Sequence, residues 1–243
     1  MLHMKDVSKV YRTEMVETHA LRNLDLEVNA GEFVAVTGPS GSGKTTFLNI
    51  AGMLEELTGG EYRLDGVDVK SLDDRARSRL RNEKIGFVFQ SFNLIPDLNL
   101  FDNVDVPLRY RKMGRAERRK RIESALERVG LASRMRHYPA ELSGGQQQRV
   151  AIARAIAGDP TLLLADEPTG NLDSAMAREV MQLLEDLNEQ GTIVVIVTHD
   201  PEIAARARRN VHIVDGVAAD LERPTALVTS SPKRESDPAH TTV

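Results

Sequence analysis

Gly38-Pro39-Ser40-Gly41-Ser42-Gly43-Lys44-Thr45 is the stretch that decides how this chain folds. A short apolar run, Phe33 to Thr37, leads into it, and Phe47, Leu48, Ile50, Ala51 and Leu54 follow at helical spacing. Strand, glycine-rich turn and helix, in that order, are the setting of a phosphate-binding loop. The glycines let backbone N–H groups curl around an anion without side chains in the way. The helix start adds unpaired donors and partial positive charge. Gly38 through Thr46 are therefore expected around a polyphosphate. Lys44 would reach the β- and γ-phosphates, and the Thr45 hydroxyl would hold Mg²⁺. The implied ligand is a nucleoside triphosphate.

Outward from the loop, strands and helices alternate. Leu2 to Val10 and Leu21 to Val28 read as strands, the second with Leu24, Leu26 and Val28 alternating against Asp25 and Glu27. Gly59-Gly60 breaks the helix pattern, and Asp65-Gly66 marks a hairpin between Tyr62–Leu64 and Val67–Val69. A short polar helix is expected over Leu72–Arg81 and an apolar strand over Lys84–Phe89. From about residue 90 to 160 helical spacing dominates, with Ile122, Ala125, Leu126 and Val129 on one face and a stop at Gly130. This reads as a helical subdomain inserted into an α/β core. Thr161–Ala165 and Thr192–Val197 are unbroken apolar runs, as in parallel strands covered on both faces. A helix from Ser174 to about Gln190 joins them into a βαβ unit. A last strand is expected at Val211–Val214. The main domain is placed at residues 1–216. The tail from Val217 to Val243, with three prolines and little apolar content, is expected to be disordered.

The chain has 243 residues, enough for one large domain or one domain carrying an insertion. No stretch approaches the ~20 apolar residues of a membrane span. The N-terminus lacks the apolar run of a secretory signal. With no cysteines, disulfides and thiolate metal sites are excluded, which fits a cytosolic setting. A net charge of −4 argues against general nucleic-acid affinity, so no specific nucleic-acid partner is expected. The run Arg109–Arg121 departs from that balance, with eight basic residues and one acid. It reads either as a solvated helix face or as a surface for anionic lipid headgroups.

Leu162-Leu163-Leu164-Ala165-Asp166-Glu167 supplies the second chemical element. An apolar strand delivers two carboxylates at its C-terminal end, the edge where parallel sheets bind ligands. Asp166 would hold Mg²⁺ through water. Glu167 would face the γ-phosphate as base or water-positioner.

Together with Leu142-Ser143-Gly144-Gly145-Gln146, these segments make residues 1–216 resemble the ATP-binding subunits of ABC transporters. The resemblance implies a P-loop core with a parallel RecA-like subdomain, an antiparallel β subdomain and an inserted helical signature subdomain. Tyr11 looks like the aromatic that stacks on adenine. Gln90 looks like the glutamine that contacts Mg²⁺ and the attacking water. Asn171-Leu172-Asp173 resembles the D-loop, and His199 the switch histidine at the γ-phosphate. Ser143, Gly144, Gly145 and Gln146 are similar to the signature that caps ATP from a second copy. The expected assembly is thus an ATP-bound head-to-tail homodimer, peripheral on the cytoplasmic membrane face and joined to a separate transmembrane permease. That partner is expected to dock near residues 90–103. Longer stretches, including Gly86–Ile95 and Leu164–Asp173, look like the macrolide-export and lipoprotein-release subgroup. A module that regulates a membrane partner without moving cargo is the alternative. Coiled-coil repair ATPases are excluded by the short interval between loop and signature.

Overall fold

The computed structural model describes residues 1–13 and 15–221. Along the chain run β1 (Leu2–Arg12), β2 (Glu17–Val28), β3 (Phe33–Thr37), α1 (Lys44–Ala51), β4 (Gly59–Leu64) and β5 (Val67–Asp68). Next come α2 (Asp74–Lys84), β6 (Ile85–Val88), α3 (Leu100–Arg109), α4 (Arg115–Arg128) and α5 (Gly144–Ile156). The last are β7 (Leu162–Asp166), α6 (Ser174–Glu189), β8 (Ile193–Val197), α7 (Pro201–Arg206), β9 (Arg209–Val214) and β10 (Val217–Leu221).

The strands sort into two sheets. One is antiparallel, in the order β2-β1-β4-β5, and the other follows β10-β9-β3-β8-β7-β6. Every pair in the second sheet is parallel except β10 on β9. Alternate residues of a strand face opposite ways, and here both faces are covered. Val34, Val36, Leu162, Leu164, Val195 and Val197 pack with α1 and the antiparallel sheet. Ala35, Leu163, Ala165, Val194 and Ile196 pack with the helices on the other side. That two-sided burial is why β7 and β8 are apolar at every position.

The segment between β6 and β7 is helical, as its periodicity predicts. Ile122, Ala125, Leu126 and Val129 are buried together with Leu100, Val104, Leu108 and Val150. Four of the eight basic residues of the run form ion pairs. Arg109 meets Asp102 and Asp105, Arg118 meets Asp105, Arg119 meets Glu123, and Arg121 meets Glu117 and Asp159. Half of the run is thus paired with the chain's own acids, as on a solvated helix face.

Gly59-Gly60, expected to break the helix pattern, opens β4. One expectation needs correction. Residues 217–221 do not belong to a disordered tail: they form β10, paired along its length with β9. Asp215 and Gly216 both have positive φ, the geometry of a two-residue hairpin turn, and Arg209 clamps Asp220 across the hairpin. Composition hid this strand because only one of its faces packs. The remainder of the expected tail, 222–243, lies outside the described residues.

Candidate nucleotide site

β3 ends at Thr37 and α1 begins at Lys44, so the quoted loop spans the gap between a buried strand and a helix N-terminus. Two backbone carbonyls press on it. A Cβ at Gly38 would lie 2.1 Å from the Ile213 carbonyl oxygen, and one at Gly43 2.4 Å from that of Ala20. Glycine is required at both places because neighbouring chain already fills the space. The Lys44 ammonium donates to the Gly38 and Pro39 carbonyls at 2.8 Å each, drawing the loop into a ring. No side chain caps α1, so its first-turn N–H groups have no intrahelical partner. Ser42 is buried with its hydroxyl unpartnered. Free donors, a lysine and an orphaned hydroxyl around a glycine ring fit a polyphosphate.

The β7 carboxylates sit at the same sheet edge. The Asp166 carboxyl is held above its ordinary range, first by burial and then by the Glu167 charge, against an opposing pull from Lys44. Glu167 takes a positive φ of 43° while its N–H donates to the Val197 carbonyl at 2.9 Å, tying the end of β7 to that of β8. Its carboxylate accepts from the Thr198 hydroxyl at 3.2 Å and from the His199 N–H at 3.0 Å, and His199 Nδ1 lies 2.6 Å away. Glu167 and His199, read separately from sequence, form one unit. Thr198 is the residue that sequence reasoning missed: fully buried at the end of an apolar run, it orients both Glu167 and the Asp200 N–H. Its only signal was position beside His199. Among the described residues no group of three or more His, Cys, Asp or Glu side chains forms a metal cage. Thr45, Asp166 and Gln90 offer oxygen ligands, one of them a carboxylate, which fits Mg²⁺ that completes its shell with phosphate oxygens and water.

Gln90 follows β6 and is held by Asn171, whose amide donates to the Gln90 carbonyl at 2.9 Å. The D-loop therefore reaches Gln90 through Asn171. Asp173 instead caps α6, accepting from the N–H groups of Ala175 and Met176. Ser143 caps α5, and Gln146 reaches back to the Ser143 N–H at 3.1 Å. Gly144 faces Leu172 and Phe92, and Gly145 abuts Met176. The signature thus packs on the D-loop, and none of its hydrogen bonds reaches the phosphate loop. Tyr11, on β1, is partly exposed and donates to Glu55 at 2.6 Å.

The family profile described as "ABC transporter" matches residues 21–170. The chain belongs to the ABC transporter family. This cassette is 49% identical over 216 residues to YknY of Bacillus subtilis strain 168, named an ABC transporter ATP-binding protein, covering 89% of this chain and 94% of that one. It is 50% identical over 220 residues to the macrolide export ATP-binding/permease protein MacB of Syntrophobacter fumaroxidans, covering 89% of this chain but 31% of MacB. The bacterial ABC transporter cassette MJ0796, solved as a dimer after hydrolysis with ADP and Pi, superposes with a TM-score of 0.82 at 45% identity. That match covers 92% of this chain and 100% of the other. The expected fold class is borne out, and the cassette is an ATP-binding subunit of the ATPase type.

Proposed function

We propose that this cassette binds and hydrolyses ATP in a head-to-tail homodimer and so energises a separate membrane permease of the export or extrusion type. One observation carries the reading. The phosphate loop opens α1, whereas the signature that opens α5 packs on the D-loop of the same chain, and in the family a second copy brings the signature to the nucleotide. The dimer of MJ0796 supports that pairing. Such an interface is isologous and closes on itself.

In this reading Tyr11 receives the base, and Gly38 through Thr46 wrap the phosphates. Lys44 leaves its two loop carbonyls for the β- and γ-phosphates and offsets charge that builds on the γ-phosphate during cleavage. Mg²⁺, when bound by Thr45, Asp166 and Gln90, supplies charge neutralisation on the phosphate oxygens. Glu167 accepts the proton of the attacking water, and its hold on the His199 N–H aims it. His199 contacts the γ-phosphate from the β8 end. Ser143, Gly144, Gly145 and Gln146 of the second copy cap the same phosphate, with Asp173 near that seam. Loss of the γ-phosphate then loosens the dimer.

No helix among the described residues is long and apolar enough to cross a membrane, and YknY, covered over 94% of its own length, is named an ABC transporter ATP-binding protein. Both support a separate partner and a peripheral place on the cytoplasmic membrane face. A groove of about 1060 Å³ lies between α2, β6 and the α3–α4 turn, lined by Arg79, Phe87, Phe89, Tyr110, Arg111 and Arg154. It touches the expected docking stretch at Asn93.

The test is the mass of the protein in ATP and Mg²⁺. Glu167→Gln should accumulate as a dimer and turn over slowly, whereas the wild type should cycle back to monomer. A fully active, monomeric Glu167→Gln variant would overturn the assignment.

A further inference from the structure

We infer that Glu55 is a positioning residue for the nucleotide base, holding the Tyr11 ring in place through its hydroxyl. The inference rests on the reading that Tyr11 receives the base. Glu55 lies in the loop between α1, the helix that starts at the phosphate loop, and β4. That loop is fixed against β1. Thr58 N–H donates to the Ser8 carbonyl at 2.8 Å, and the Thr58 hydroxyl accepts from Val10 N–H at 3.0 Å. Glu55 N–H in turn donates to the Asn49 carbonyl of α1. The carboxylate therefore has a set position relative to both the strand that bears Tyr11 and the helix that bears the phosphate donors.

Both oxygens of that carboxylate are committed. Oε2 accepts from the Tyr11 hydroxyl at 2.6 Å, and Oε1 lies 3.0 Å from the Lys9 ammonium. Lys9 is held in turn by the Glu56 carbonyl at 2.8 Å and sits 5.0 Å from the centroid of the Tyr11 ring. The Lys9 and Glu55 side chains are 14% and 24% exposed, so this is a sheltered pair and not a loose surface contact. The Tyr11 phenol is held above its usual range by burial first and by the Glu55 bond second, with Thr46 acting in the opposite direction. The ring is thus tied at its hydroxyl to the end of α1 and covered on one face by an ammonium. Stacking needs exposed ring surface, and Tyr11 is 39% exposed. A ring held in advance loses less rotational freedom when the base arrives. Without Glu55 the ring would turn about its side-chain bonds, and base binding would carry that ordering cost.

The test measures two ligands on the full chain in Mg²⁺: ATP, which has a base, and inorganic tripolyphosphate, which has none. Glu55→Ala should weaken ATP about tenfold, the scale of losing a charge-assisted hydrogen bond, and leave tripolyphosphate affinity unchanged. In steady-state assays KM for ATP should rise with kcat nearly constant, the mark of lost ground-state binding. Tyr11→Phe, which keeps the ring and removes the hydroxyl, should reproduce much of the effect. Adding Glu55→Ala to Tyr11→Ala should cost nothing further. Equal loss of ATP and tripolyphosphate would show that Glu55 supports the phosphate loop instead and would overturn the inference. So would additive losses in the double variant. If Tyr11→Ala bound ATP like the wild type, the base-stacking reading itself would fail. If Tyr11→Ala were weak and Glu55→Ala normal, only the positioning role would fall.

Discussion

Replacing Gly38 by alanine should damage both stability and nucleotide binding, and Gly41→Ala in the same loop is the internal control. At Gly38 the backbone sits at φ +146°, and the added Cβ would stand 2.1 Å from the Ile213 carbonyl and 2.9 Å from the Ser42 hydroxyl oxygen. A side chain in that backbone region costs about 1–3 kcal/mol, and forcing an atom into packed surroundings adds about 1–3 kcal/mol. The two together amount to roughly 2–6 kcal/mol of the 5–15 typical of a folded domain. Gly41 has φ +77° but no atom within 4 Å of its Cβ position, so only the conformational penalty of about 1–2 kcal/mol applies. The gap has a functional side as well. The Gly38 carbonyl accepts from Lys44, so displacing it moves the lysine that meets the phosphates. Urea denaturation of the nucleotide-free proteins should rank wild type above Gly41→Ala, and Gly41→Ala above Gly38→Ala. Titration with ATP should follow the same order. Equal stability of the two variants would refute the argument that the Ile213 carbonyl, and not loop conformation alone, dictates glycine at position 38.

Lys44→Ala should weaken ATP binding and abolish turnover in a phosphate-release assay, since the charge offsetting the γ-phosphate is gone. Normal turnover would remove Lys44 from the mechanism. Ser143→Arg should bind nucleotide as a monomer yet hydrolyse almost none, because the signature acts on the other copy; unimpaired turnover would refute the shared site. Burial raises the Asp166 pKa above its unfolded value near 3.8, so the folded state holds that proton more tightly. The associated stability is complete below about 3.8 and lost as pH rises through the folded value. In EDTA, Asp166→Asn should therefore melt above the wild type at pH 7, with the advantage shrinking as pH falls towards 3.8, and its Mg²⁺-dependent hydrolysis should be lost. A chain ending at Gly216 should melt several degrees below one ending at Leu221. It loses β10 and the Arg209–Asp220 clamp and loosens the Asp215–Gly216 turn, whose Gly216 N–H bonds the Ser42 carbonyl.

Local chemistry made much of this protein legible before folding. A phosphate loop is written in consecutive residues because its ligand is bound by backbone N–H groups, and only glycine permits that curl. Apolar continuity in β7 and β8 announces two-sided burial for the same local reason: each successive residue faces a different, equally dry layer. Asp166, Glu167 and the α5 cap at Ser143 were readable as strand-end and helix-start positions. What sequence left open depends on which distant segments meet. The joining of Glu167 to His199 and Thr198 arises from the parallel β7–β8 register. The tie from Tyr11 to Glu55 crosses from β1 to the end of α1, and the strand at 217–221 exists only because β9 offers it an edge. Such contacts are set by tertiary packing, which brings together groups far apart in the chain whose spacing carries no periodic signal.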